Sequence, residues 1–510
     1  AVTLTDATTG VPLARYSAIT DLTDPEYLVY ARDDGRPLMS PLGDTFPHPS
    51  GVPDGHVPPF ETQSSHRQSE VAVAGSAPWV YPGGNQTDGN HVLAFFNSVT
   101  AADGRVAEFS DVPPPEQDNP PDDLGNDFLT RATDDRFAFA YDPTATRREY
   151  FQNAFLTDPA AVIPPPDRNN VALNAKIVQG FYSANWLHEF FYRAGFDEVA
   201  GNAQQSNFGR GGAACDPLLV HTSFWTTFMF PTLDGESPAL SMGLNNRSES
   251  LRDSTMDFSV FAHEWGHYLV GRLAGTTVDT MSNLQGLTLH EAVADFVGVL
   301  VNLDGDDDLN GAFAIGAYTN LDYIERRSVL PPEEHGSDAM YYGIRRYPYS
   351  MNLAKNPLTF RHLAEPPPAE LPYYNWKGRG PLLSEEHTAG EIFTQALFQC
   401  FGRIVAAHPG EPFEGLRTRM AEYVVAGLAA FPDRPSLLEA RDAFLEVIRL
   451  SDVVDHAACR GGFAARGMGA DAVGPDGEFG ANVVDTRAVY DPADVQESFV
   501  DADAAPSVAR

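Results

Sequence analysis

The chain contains little cysteine and no long apolar run. Three of its 510 residues are cysteines, Cys215, Cys400 and Cys459, so a disulfide scaffold is excluded and at most one bridge can form. No two of them stand at the short spacing of a cysteine-based zinc site. Because no run of 18 apolar residues occurs, we expect no membrane span.

Positive charge is also scarce. The chain has 34 Lys and Arg against 70 Asp and Glu, a formal net charge of −36. The phosphates of nucleic acid would repel such a surface, so we expect no nucleic-acid partner. Such acidity suits an extracellular or salt-rich setting. The sequence begins at Ala1 with neither a methionine nor a basic-then-apolar signal segment, which favours a processed or trimmed product.

The composition and the pattern of apolar residues change along the chain. Residues 1–150 are rich in Thr, Val, Asp, Gly and Pro in short alternating stretches, which predicts strands. Apolar spacing predicts helices over about 257–273, 287–302, 387–407, 412–430 and 435–450, the first with Asp257 as a candidate N-cap. We therefore predict an α+β fold. Its segments are a β-rich extension (1–80), a β-rich lobe ending in the helix of residues 257–273 (81–275), a helical lobe (276–486) and a loosely packed acidic tail (487–510).

The segment His263-Glu264-Trp265-Gly266-His267 carries the sharpest chemical signal. Two histidines four apart on a helix project from one face, so both imidazoles can reach one zinc ion. Glu264 can then act as general base on a water whose pKa zinc lowers to about 7. Because a five-residue match also occurs by chance, the site must be completed elsewhere. A peptidase zinc needs three protein ligands and an open position for water.

The next predicted helix supplies the missing carboxylates. Glu291 and Asp295 stand four apart on one face of residues 287–300, among apolar neighbours. We interpret Glu291 as the third ligand and Asp295 as the acceptor of a ligating histidine's outer N–H. The alternative is a solvated acidic face, but unpaired charge is costly among apolar residues. His290 lies about 100° around the helix from Glu291, so it is less suited as a ligand.

A zinc hydrolase also needs a donor for the oxyanion of the tetrahedral intermediate. His387 is the best candidate, because it stands at a predicted helix start and follows two carboxylates. Either Glu385 or Glu386 could orient it and hold it protonated, and the sequence does not choose between them. The alternative is that His387 is only a surface residue.

A weaker signal lies in an acidic turn. Its oxygen-bearing side chains alternate as in a calcium loop, at Asp304, Asp306, Asp308 and Asn310. The turn lacks the bidentate glutamate that an EF-hand requires. The alternative is a solvated turn, which is common in so negative a chain.

Several separated segments share a family pattern. They are Phe181–Asn202, Asn207–Gly212, Gly343–Ser350 with Asn356–Phe360, and Phe463–Gly469 with the preceding Cys459. In this order, over about residues 80–486, the chain resembles the fungalysin family of metallopeptidases, relatives of the thermolysin-type enzymes. The segments resemble, in turn, the helix before the active site, a glycine-rich turn, a characteristic family stretch and the closing segment.

The resemblance implies a thermolysin-like, two-lobed metallopeptidase, with a β-rich N-terminal lobe, a mainly helical C-terminal lobe and the zinc helix between them. It implies that Zn²⁺ is bound by His263, His267 and Glu291, that Glu264 is general base and later acid, and that His387 stabilises the transition state. It further implies that Arg345, or else Arg346, contacts a substrate carbonyl. The alternative for Arg345 is an ion-paired interior arginine. A removed N-terminal propeptide is also implied.

The chain departs from the family pattern at two places in the site. The Asn-Asn-Ala edge strand that pairs with substrate is not recognisable, and Val220–Trp225 stands in its place. No tyrosine stands shortly before Glu291, where thermolysin-type enzymes keep an oxyanion donor. Tyr347 or Tyr349 is the candidate substitute.

These observations together predict a secreted, extracellular zinc endopeptidase that acts on proteins or peptides. An exopeptidase with the same zinc ligands is an alternative within the enzyme class. A catalytically silent adhesion or binding protein on a peptidase scaffold is the alternative from another class. Retention of Glu264 speaks against the silent protein, because this residue would be the first to be lost without catalysis.

Overall fold

The computed structural model of the chain describes twelve ranges of residues. They are 2–5, 12–16, 25–67, 79–81, 84–96, 127–144, 167–224, 227–243, 252–321, 339–367, 385–477 and 490–502. The chain divides into two compact units, the first formed by Ala1–Pro41 with Phe60–Met256 and the second by Leu42–Pro59 with Asp257–Arg510. Strands and helices both contribute, so the fold is of the mixed α+β class, as predicted.

The described residues of the first unit form the sheets and one long helix. Its strands are β1 (Val2–Thr5), β2 (Pro12–Tyr16), β3 (Glu26–Val29), β4 (Ser64–Arg67), β5 (Val92–Phe96), β6 (Phe128–Leu129), β7 (Arg136–Phe137), β8 (Leu218–Phe224), β9 (Phe228–Phe230) and β10 (Ala239–Gly243). The main sheet has the order β6-β5-β8-β10-β9, in which β8 is parallel to both its neighbours. Smaller sheets are formed by β4-β3-β7 and by β1-β2. Helix α1 (Val171–Arg193) packs against β3, β5 and β8.

The second unit is helical. Its helices are α2 (Phe258–Leu273), α3 (Leu284–Leu300), α4 (Ala317–Asn320), α5 (Ala339–Tyr342), α6 (Glu386–Ala407), α7 (Phe413–Ala429), α8 (Leu437–Ser451) and α9 (Val453–Ala465). All five helices predicted beyond residue 257 are present. Asp257 Oδ1 accepts a hydrogen bond from the Val260 N–H at 3.4 Å, which confirms the predicted cap of α2.

Helix α3 packs against both α2 and α6. Glycines on α2 and α6 allow these two helices to approach α3 closely. A Cβ atom added at Gly266 of α2 would lie 2.7 Å from the Cα atom of Ala294 in α3. One added at Gly390 of α6 would lie 3.0 Å from the Cβ atom of Glu291. The bond between Cys400 and Cys459 joins α6 to α9.

The described part of the acidic tail is held by backbone hydrogen bonds. The Ser498 N–H donates to the Gly467 carbonyl at 2.9 Å, and Gln496 pairs with Val473. Tyr490 is buried. Within residues 490–502 these contacts tie the tail down more firmly than a loosely packed tail would be, and residues 487–489 and 503–510 lie outside the described part. Among the described helices, none combines the length and apolar character needed to cross a membrane.

Candidate metal and catalytic site

Helices α2 and α3 bring three side chains with metal-binding atoms to one point. On α2, the Nε2 atoms of His263 and His267 lie 3.2 Å apart. On α3, Glu291 places one carboxylate oxygen 3.5 Å from His263 Nε2 and the other 3.5 Å from His267 Nε2. The three predicted ligands therefore converge.

This set of atoms fits zinc. Ligand bonds of 2.0–2.2 Å in a tetrahedron place neighbouring ligand atoms roughly 3.3–3.6 Å apart, close to the spacings observed here. Within the described part of the chain, Glu291 Oε2 is buried and accepts no hydrogen bond. Burial holds the pKa of His267 well below its usual value, so its imidazole is in the neutral form that binds metals.

Asp295 lies behind the first histidine. Its Oδ1 is 2.7 Å from His263 Nδ1, and Arg345 pairs with both carboxylate oxygens at 2.6 and 2.7 Å. The Tyr349 hydroxyl donates a further hydrogen bond to Oδ2. Although burial acts in the opposite direction, Arg345 and His263 hold the pKa of Asp295 well below its usual value. An ionised Asp295 requires the His263 proton on Nδ1, which leaves Nε2 free as a ligand.

The second histidine has a neutral partner. The Nδ1 atoms of His267 and His290 are 3.4 Å apart, and His290 Nε2 is 3.1 Å from the Gly275 carbonyl oxygen. Burial lowers the pKa of His290 to about 4, so this imidazole is neutral. With its proton on Nε2, donated to Gly275, its Nδ1 accepts the outer proton of His267. The sequence placed His290 away from the ligands but did not reveal this contact.

Glu264 lies beside this group, next to His263 on α2. Its side chain is buried, and burial is the main cause that raises its pKa to about 7. Glu291 raises this pKa further, whereas His263 lowers it. A carboxyl group that titrates near neutral pH is suited to take up a proton and release it again.

His387 approaches from the first turn of α6. Its Nδ1 is 2.5 Å from Glu385 Oε1 and its Nε2 is 3.4 Å from Glu291 Oε1. Although partial burial acts against the charged form, Glu291 and then Glu385 raise the pKa of His387 to about 10. Glu385 is therefore the residue that orients it, a choice the sequence left open. Glu386 Oε2 is buried and accepts no hydrogen bond from the described residues.

The two arginines that follow Ile344 are both buried, at 4% and 3% exposure. Arg345 pairs with Asp295, and its NH2 atom lies 3.7 Å from Glu291 Oε2. Arg346 pairs with Glu391 of α6. The ion-paired alternative for Arg345 thus describes its contacts, and a substrate contact stays a prediction. Tyr349 is fully buried with its hydroxyl on Asp295, so it is already engaged and does not fit the role of oxyanion donor.

The candidate calcium residues do not converge in this way. The Asp304 N–H donates to Asp307 Oδ2 at 2.7 Å, and Asp308 Oδ1 accepts from the Asn310 N–H at 3.0 Å. Among the described residues, none of Asp304, Asp306, Asp307 and Asp308 belongs to a group of three or more close His, Cys, Asp or Glu side chains. Calcium at this turn stays a prediction.

A second histidine pair is less suited to a metal. His91 and His188, grouped with Glu189, are buried in the first unit. Their rings are stacked, with centroids 3.7 Å apart and planes inclined by 10°. Nitrogen lone pairs lie in the ring planes, so nearly parallel rings do not direct them at one ion. The convergence at His263 is therefore the better metal site.

The chain is similar to known metallopeptidases. A family model described as fungalysin metallopeptidase (M36) matches residues 84–472, which is most of the chain. The extracellular metalloproteinase mep of Aspergillus terreus is 28% identical over 375 residues, which cover 69% of this chain and 50% of that protein. The extracellular metalloproteinase MEP of Fusarium vanettenii is 28% identical over 321 residues, covering 59% and 44%. This chain spans about half the length of these relatives. It belongs to the fungalysin metallopeptidase family.

Proposed function

We propose that the chain is a secreted zinc endopeptidase that hydrolyses peptide bonds in proteins. The observation that carries the proposal is the convergence of His263, His267 and Glu291 beside Glu264. Membership of a metallopeptidase family implies a catalytic zinc, and these three residues would hold it. The relatives' names support an extracellular location.

Zinc, when bound, supplies a Lewis acid that polarises the substrate carbonyl and lowers the pKa of water to about 7. Glu264 takes a proton from the water as the water oxygen attacks the carbonyl carbon of the substrate. When the C–N bond breaks, Glu264 passes that proton to the leaving amine. A pKa of about 7 suits both steps, because the group must accept and release a proton at neutral pH.

His387 assists the attack through its Nε2 proton. The charged imidazolium, held by Glu385, donates a hydrogen bond to the oxyanion that develops on the carbonyl oxygen. Asp295 and His290 keep the two ligating imidazoles in the required tautomers. Arg345 aligns Asp295, and a contact with substrate by the same guanidinium stays part of the proposal.

Other predictions from the sequence belong to the same proposal. They are the thermolysin-like arrangement of the two lobes, the removed N-terminal propeptide and a calcium ion at residues 304–310. Calcium is tested by unfolding temperature. A rise on adding calcium that is absent from Asp306→Asn supports the site, and no rise in the natural chain rejects it.

The proposal is tested with a peptide library digested with and without a zinc chelator and read by mass spectrometry. Internal cuts that vanish with chelator indicate an endopeptidase, whereas trimming from one end indicates the exopeptidase. A lack of cuts with zinc bound indicates the silent binding protein. Glu264→Gln should abolish cleavage while zinc content stays at one per chain. The same substitution at the exposed Glu422 is the control and should leave cleavage unchanged.

A further inference from the structure

His387 stands at a place where a helix is intrinsically loose. It is the second residue of α6, and the first turn of a helix lacks half of its internal hydrogen bonds. Its side chain is 40% exposed, so packing alone holds it weakly. Glu385 caps the turn by accepting a hydrogen bond from the Thr388 N–H at 3.0 Å. This cap lies on the same turn as His387, so it does not fix the turn relative to Glu291 of α3.

Arg346 supplies a connection from outside the helix. Its NH2 atom donates at 2.5 Å to the carbonyl of Thr388, the residue that follows His387. Its Nε donates to Glu391 Oε2 at 3.2 Å, and its backbone N–H donates to Glu391 Oε1 at 3.0 Å. The side chains of Arg346 and Glu391 are buried, at 3% and 0% exposure respectively. Three hydrogen bonds thus join the first turns of α6 to one residue.

The neighbouring residue holds the other side of the site. Arg345 pairs with Asp295 of α3, whose carboxylate lies against His263. The Cα atoms of consecutive residues are about 3.8 Å apart, so one peptide unit ties the support of His263 to the support of His387. Ser350, further along, exchanges two hydrogen bonds with the Gln395 side chain, which keeps this segment against α6.

The charges argue against a purely stabilising role. A cation beside the N-terminal turn of a helix opposes the helix dipole, which favours an anion there. Arg346 is nevertheless placed at this turn, and Glu391 offsets its charge. The guanidinium of Arg346 has several N–H donors in fixed directions. It therefore defines the position of the helix turn better than a single contact would.

We propose that Arg346 and Glu391 are positioning residues that hold His387 at its place beside Glu291 for the reaction. They act through the helix turn and do not touch substrate. The inference rests on the proposed function, because it assigns a role in that same hydrolysis.

Two variants test the proposal in the 510-residue chain, with a fluorogenic peptide chosen from the library digestion. Glu391→Gln keeps a neutral acceptor but loses the ion pair, and Arg346→Lys keeps the charge but loses the fork. A misplacement of about 1 Å costs on the order of 100-fold in rate, so we expect kcat to fall about 10–100-fold. We expect KM and zinc content to stay near those of the natural chain, because the pairing of Arg345 with Asp295 is intact.

Arg417→Lys is the matched control. Arg417 is also buried in the second unit, where it donates to the carbonyls of Val301 and Leu303 and pairs with Glu414. It should lower the unfolding temperature and leave kcat unchanged. If both test variants also keep the natural kcat, the positioning role is overturned.

A double-mutant cycle separates positioning from general damage. His387→Ala alone should lower kcat, and adding Glu391→Gln to it should cause no further fall. An additional fall as large as that in the natural background would overturn the proposal. Arg346→Lys replaces Glu391→Gln in the cycle if the latter does not fold. An active Glu264→Gln variant would instead reject the proposed function itself, so the two failures are distinguishable.

Discussion

Replacing Gly266 by alanine should weaken metal binding, because it forces apart helices α2 and α3, which carry the candidate ligands. The new Cβ atom would lie 2.7 Å from the Cα atom of Ala294, whereas carbon atoms in contact are about 3.5–4.0 Å apart. The atom that is too close belongs to the backbone of α3, so no side chain can turn away. Helices α2 and α3 must therefore separate by about 1 Å.

The magnitude follows from two opposing effects. Overpacking costs about 1–3 kcal/mol, and alanine in a helix recovers about 1 kcal/mol relative to glycine. The net loss of stability is therefore about 0–2 kcal/mol. The effect on metal binding should be larger, because His267 and Glu291 lie on the two helices that separate, with ligand atoms now 3.5 Å apart. We expect zinc affinity to fall at least as far as the 10–100-fold seen when the support of a ligand is removed.

Zinc affinity is measured by competition with a chromophoric chelator, and stability by denaturant unfolding of the zinc-free chain. The control is Gly415→Ala in α7, where an added Cβ meets nothing within 4 Å. It should raise stability by about 0.5–1 kcal/mol and leave zinc affinity unchanged. If Gly266→Ala binds zinc as the natural chain does and gains the same stability as Gly415→Ala, the close-approach argument is refuted.

Three further predictions concern the disulfide, a buried histidine and the neutral partner of the metal site. Removing the bond between Cys400 and Cys459, 59 residues apart, should lower the free energy of unfolding by about 4 kcal/mol, and equal unfolding midpoints with and without reductant would contradict this. Burial lowers the pKa of His91 to about 4, so the unfolded chain gains a proton below about pH 6.5 that the folded chain does not. Stability from this residue is therefore full above pH 6.5 and is lost towards pH 4, by about 3 kcal/mol in all, and His91→Gln should flatten that part of the unfolding curve against pH. His290→Phe should weaken zinc binding about 10–100-fold, and an unchanged affinity would show that His267 needs no such support.

The sequence predicted the residues that lie on one helix face. His263 with His267, and Glu291 with Asp295, are each four apart, and helix geometry alone places each pair together. The five helices beyond residue 257 follow from the same periodicity. Local spacing determines such features, so they can be predicted without knowledge of the tertiary structure.

Contacts between distant segments could not be predicted in this way. The choice of Glu385 over Glu386 depends on the geometry of the cap, and the role of His290 depends on where the Gly275 carbonyl lies. The contacts of the tail are a similar case. Its acidic, alanine-rich composition suggests weak packing, but its backbone pairs with a segment near Gly467 that composition does not reveal.

The two histidines of the site are backed by unlike groups, an ionised carboxylate behind His263 and a neutral imidazole behind His267. A carboxylate pulls the outer proton more strongly and makes the ring a better electron donor. The two Nε2 atoms that would bind zinc are therefore chemically inequivalent before any substrate arrives. A spectroscopic metal such as cobalt(II) should sense this inequality, and Asp295→Asn should reduce it. The asymmetry would make His267 the weaker ligand, and so the first to dissociate when the ion is exchanged.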